Sequence, residues 1–184
     1  ELRTNYMQPG KGYGYAGEGK AKPFTLEMAR TRSSEAPIPF GHGLAHLKLV
    51  ERFGKSHPEY FAMLEDGSRY AGKNDGFDGQ LCYLSGIRDV IFEDAKAYFT
   101  GEPATERGMP YWFATSTRNR KYMSVMPQDW FYWCCCEKCA RIAPGGRGAI
   151  YSDAEAQKAV GGCIWDFTAE IAERLIKAGI NGTI

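Results

Sequence analysis

At 184 residues, 43% of them hydrophobic and 14% aromatic, the chain has the size and apolar content of one core-forming domain, which excludes disorder throughout. Its 23 basic and 22 acidic residues leave a formal charge of +1, too little for a general attraction to nucleic acid or anionic lipid. No apolar run reaches the length of about 18 residues that a membrane span needs, and Glu1 opens without a charged and apolar leader, so a soluble chain is expected, from which a leader could already have been cut.

Residues 1–23 are rich in Gly, Tyr and Lys and have neither a helical nor an alternating period. Their glycines lack the preceding strand and following Lys-Ser/Thr that a phosphate-binding loop requires. A short helix over 24–32 and a proline-containing connector lead to residue 38, so 1–37 reads as an arm and connector and 38–184 as the folded domain. There, 38–42 reads as a short strand, and Gly41-His42-Gly43 as a turn before a helix with Leu44, Leu47, Val50 and Phe53 on one face. His42 at that junction is a candidate substrate ligand, with a loop-holding histidine as the equal alternative.

Residues 56–64 read as a helix with Pro58 in its first turn, and the Gly/Asp-rich 65–79 as a loop. The apolar run 80–84 is a strand candidate, with Cys82 inside it as a small buried hydrophobe. Ser85 can cap a helix whose buried face is Ile87, Val90, Ile91, Ala95 and Tyr98, ended by Gly101. The run 122–126 is a further strand, stopped by Pro127. Ser152 to Glu155 fits a capping box opening a long helix with Val160, Cys163, Ile164, Phe167, Ile171 and Leu175 inward and Gly179 as its stop, and 180–184 reads as the beginning of one more strand. Alternation of strands with helices predicts an α/β fold with parallel strands and crossover helices.

The chemistry concentrates in Tyr122–Cys139, YMSVMPQDWFYWCCCEKC. Asp129 is a candidate catalytic carboxylate, with a turn-capping aspartate as the alternative. Trp130, Tyr132 and Trp133 suit the apolar face of a sugar, and equally suit a core. Cys136 and Cys139 have the Cys-x-x-Cys spacing that gives zinc two ligands from one turn, Cys134 supplies a third, and the fourth is left to Cys135 or to a distant His or Cys. A disulfide or a redox dithiol are the other readings.

His42 in FGHGL, HPEYFAML followed by DGSR, QLCYLS, and SVMPQDWFYWCCCEKC together resemble an uncharacterised bacterial family related to glycoside hydrolases, over residues 38–142. The resemblance implies a (β/α)8 TIM-barrel-like domain, as in α-glucuronidases and hexosaminidases. It also implies polysaccharide-derived sugars as partners and a secreted or periplasmic location. It places Asp129 just beyond a barrel strand and aligns Cys134, Cys136 and Cys139 with the family's cysteines, Cys135 being additional. A full barrel takes about 250 residues, so this chain would be a partial barrel, with an open edge able to pair with a second copy. Two functions are therefore expected: a glycoside hydrolase-like domain, or a non-catalytic zinc-braced module that binds a glycan or a protein.

Overall fold

The computed structural model of the chain describes residues 42–71, 80–112, 120, 122–127 and 131–184. In chain order the helices are α1 (Leu49–Phe53), α2 (Ile87–Thr100), α3 (Glu137–Ala140), α4 (Arg147–Ser152) and α5 (Ala154–Lys177), with 3-10 turns at Gly43–Leu47, Pro58–Tyr60 and Ala104–Arg107.

The two long helices form where the sequence repeats apolar residues every three or four positions. In α2, Ile87, Ile91, Ala95 and Tyr98 are buried. The Ser85 hydroxyl accepts the Ile87 N–H at 3.3 Å at its start. At its end Gly101, at φ 89°, takes the left-handed conformation that only glycine adopts without strain. In α5, Ala156, Val160, Phe167, Ile171 and Leu175 are buried, and the Asp153 carboxylate accepts the N–H groups of Glu155 and Ala156. The cap is thus Asp153, one residue later than expected, because Ser152 is still part of α4.

These helices pack on each other, and their buried residues belong to a single core. Polar side chains fasten the rim of the contact. Arg174 lies 4.0 Å over the Phe92 ring and bonds Asp89 at 2.8 Å, and Arg88 pairs with Glu170. Midway along α2, the fully buried Asp94 takes a two-pronged bond from Arg52 of α1 at 2.7 and 2.9 Å and a third from Arg107 at 2.8 Å. With both of its oxygens partnered by guanidinium groups, this carboxylate locks α1 and the 104–107 turn onto α2.

The expected α/β fold, a partial (β/α)8 barrel with parallel strands and crossover helices, does not form. Among the described residues there is no strand, only isolated bridges: Phe61 to Leu81, Met63 to Arg69 and Trp133 to Gly146 antiparallel, and Tyr122 to Thr183 parallel. The two apolar runs behind the expectation are each five residues long, and both are diverted. The Ser85 N–H and hydroxyl both bond the Cys82 carbonyl, turning 82–85 out of the extended state. In 122–126 the Met126 N–H goes to the Ser124 hydroxyl, while the Met123 N–H finds Thr183. A run this short has the same periodicity whether it becomes a strand or a buried irregular segment. Without a barrel, the open edge expected to pair with a second copy has no strand to build it among the described residues.

Two helices also shorten. The one expected after Gly43 breaks at Lys48, which sits at φ 52° between a 3-10 turn and α1. The one expected over 56–64 is a single 3-10 turn, after which Phe61 to Leu64 runs extended because its main chain bonds sideways to other segments.

Candidate metal centre

The segment 60–64 is the hub of the site. On one side the Ala62 N–H donates to the Gln80 carbonyl at 2.8 Å, and the Cys82 N–H donates to the Tyr60 carbonyl at 2.9 Å. On the other, the Cys135 N–H donates to the Met63 carbonyl at 2.8 Å, and the Met63 N–H points at the Cys134 sulfur at 3.2 Å. Residues 80–82 and 133–135 are thereby held on either side of one extended segment, whose Phe61 and Ala62 are fully buried.

The two flanks are closed by turns. Cys136 precedes α3 in extended conformation, so that Cys139, in the first turn of that helix, folds back beside it. The buried Trp133 indole N–H donates to the Cys139 carbonyl at 3.1 Å, which fixes the helix against its own approach segment. The Gly146 N–H closes onto the Trp133 carbonyl at 2.8 Å. Gly145 permits that closure, since a Cβ there would come within 2.5 Å of the Cys135 Cα and 2.7 Å of its sulfur.

The result is a cluster of four sulfurs, from Cys82, Cys134, Cys136 and Cys139, all within 4.8 Å of one another. Cys82 lies 3.8 Å from Cys136 and 3.7 Å from Cys139, sulfur to sulfur. A tetrahedron of sulfurs about 2.3 Å from a central zinc has edges of about 3.8 Å, so the spacing suits one ion. All six cysteines of the chain are free thiols, so no disulfide occupies the cluster.

Without metal, Cys82, Cys134 and Cys139 hold their protons unequally. Hydrogen bonds from the Cys139 and Cys82 thiols, with the Met63 and Cys136 N–H groups behind them, hold Cys134 far below the usual thiol range. The proton-donating partners move the opposite way: the bond to Cys134 pushes Cys82 up to about 12 and Cys139 well above the ordinary range. Cysteine sulfurs bind a divalent ion as thiolates, so metal binding to such a cluster would release protons. The four cysteines can hold a metal ion.

No family model, curated protein or solved structure matches this chain.

The other residues singled out in the sequence separate. Asp129 and Trp130 lie outside the described residues. Trp133 is fully buried and Tyr132 nearly so, with its N–H on the buried Gln80 side chain and its hydroxyl bonded to Glu65. Burial and the Glu65 bond hold the Tyr132 phenol well above its ordinary pKa. These two rings are core members that support the cysteine loop and offer no open face to a sugar. Half-buried His42 bonds the Pro127 carbonyl at 2.6 Å through Nδ1.

Cys134, Cys136 and Cys139 come together as their spacing suggests. The fourth member, Cys82, is the residue that sequence reasoning passed over. Cys135 turns away from the cluster, its sulfur 3.8 Å from the Tyr132 hydroxyl. The available signal was arithmetic: three clustered ligands need a fourth, and a cysteine in a buried run is a candidate donor as well as a hydrophobe.

Proposed function

We propose that Cys82, Cys134, Cys136 and Cys139 bind a single zinc ion as a structural centre, and that the chain is a zinc-braced, non-catalytic module. The support is the closed donor set. Four thiolates saturate tetrahedral zinc and leave no position for water or substrate, which is how structural sites differ from catalytic ones. A catalytic zinc keeps three protein ligands and an open place; here the fourth place is taken by Cys82. Zinc also suits the soft, all-sulfur donors, with a single iron ion as the competing occupant of the same geometry. Glycoside hydrolysis rests on the sequence resemblance and on Asp129, which lies outside the described residues.

The deciding experiment is elemental analysis of protein purified without chelator, with thiols counted before and after denaturation. Zinc equimolar with the chain, and thiols of the buried ligands Cys82, Cys134 and Cys139 that react only once the metal is stripped, is the expected result. Iron in its place would change the ion and keep the brace, whereas metal-free protein that takes up no added zinc would sink the proposal.

A further inference from the structure

The four ligands of the proposed zinc centre are not equally protected. Cys82 is 4% exposed and Cys134 and Cys139 are fully buried, while Cys136 is half-open to solvent. Their sulfurs also differ in what they receive from the main chain. Among the described residues, backbone N–H groups point only at the Cys134 sulfur, from Met63 at 3.2 Å and from Cys136 at 3.4 Å. Such donors draw charge from a metal-bound thiolate and make it a poorer nucleophile. Cys136 has neither the burial nor the donors, so it is the least shielded of the four ligands and its sulfur keeps its electron density. Its neighbour across the cluster is Cys82, 3.8 Å away.

We propose, on the basis of the zinc reading, that Cys136 is the oxidation site of the centre and that Cys82 is its resolving partner, so that a peroxide converts the zinc brace into a Cys82–Cys136 disulfide. The Cys136 thiolate attacks one peroxide oxygen, breaks the O–O bond, expels hydroxide and becomes a sulfenic acid. The Cys82 thiolate then attacks that sulfur and expels a second hydroxide as the S–S bond forms. The two sulfurs together lose two electrons, the peroxide gains them, and both hydroxides leave as water once protonated. Zinc keeps its oxidation state. Left with Cys134 and Cys139 alone, it departs as the divalent ion, and those thiolates take up protons.

The geometry gives this exchange a purpose. The disulfide joins residues 54 positions apart, on the same two segments that the metal joins, so the tie between 80–82 and 134–139 outlasts the metal. Cys135 is adjacent in sequence yet stands outside the exchange, because its sulfur faces the Tyr132 hydroxyl and the Gly145 turn instead of the cluster.

Zinc content of the untreated protein is measured first, and a chain without zinc overturns the metal reading before any oxidant is added. Zinc-loaded wild type and Cys135→Ser are then treated with hydrogen peroxide, zinc release is followed with a chromogenic chelator, and disulfides are mapped on unreduced peptides by mass spectrometry. Zinc release and the Cys82–Cys136 bond are expected to appear together, at the same rate in both proteins, and to be reversed by a thiol reductant with fresh zinc. A different disulfide, zinc retained at a peroxide dose that already oxidises the half-buried Cys163, or slower release in Cys135→Ser would overturn the assignment and leave the zinc site itself standing.

Discussion

The helical pair α2 and α5 and the segments that build the cysteine site, 60–64, 80–86 and 131–146, are held together in different ways. The helices satisfy their own main chains and need only an apolar face to associate. These segments have largely irregular backbone tied by single bridges and side-chain bonds, too few to close a ladder. Four sulfurs on one ion, as proposed, would give that second region the cross-link its backbone lacks. Regular structure and metal thus appear as substitutes for one another, and a perturbation of one region should leave the other in place.

Removing the metal is the largest test of that separation. Structural zinc contributes about 10–16 kcal/mol of apparent binding energy in small zinc domains, so chelation or Cys82→Ser should melt the braced region. Hydrogen exchange should quicken over 60–64, 80–86 and 131–146 while the α2 and α5 amides stay protected. Uniform melting of all the amides would refute the division.

In the helical region, Phe167→Ala deletes a fully buried ring and should lower unfolding stability by about 3–5 kcal/mol. Asp94→Ala, which leaves two guanidinium groups without their buried partner, should cost a similar ~3–5 kcal/mol. Both variants should retain a full complement of zinc, and loss of metal from either would show that the regions are coupled. Gly145→Ala is a smaller change aimed at the brace. Its new methyl group meets Cys135, and the strain should cost about 1–3 kcal/mol and weaken zinc retention without slowing or speeding exchange in α5.

The smallest effect probes the seam between the regions. Tyr83 follows Cys82 directly and packs edge-on to Phe167 at 5.1 Å and against Phe131 at 5.8 Å. Burial pushes its phenol above the ordinary value near 10. A raised folded pKa means stability that is fully present below the unfolded pKa and is lost as pH rises beyond it, because the unfolded chain ionises first. Denaturation curves should therefore weaken above about pH 10, and Tyr83→Phe should flatten part of that decline. An unchanged alkaline slope in the variant would assign the loss to other groups, Tyr132 among them.

The helices were legible because 14 and 24 residues give several turns of period, enough to name Ile91, Phe167, Ile171 and Leu175 as inward. The segments around the metal were not, since five-residue apolar runs carry no decisive period, and Ser85 and Ser124 divert them through side-chain bonds that propensity does not weigh. Three ligands could be read from Cys134, Cys136 and Cys139 because they share one turn. Cys82 could not, because only the pairing of 60–64 with 80–82 brings it there.

That long reach has a consequence for how the chain acquires its fold. Cys82 stands 54 and 57 positions before Cys136 and Cys139. During synthesis from the N-terminus it therefore emerges well before its partners, at a stage when no tetrahedral site exists to compete for metal. The Cys134–Cys139 turn can capture an ion locally, but the cage closes only when a loop containing all of α2 has folded back. With zinc as the proposed occupant, loop closure would complete the coordination of an ion already held locally, and the refolding rate of the reduced chain should depend on the concentration of free zinc.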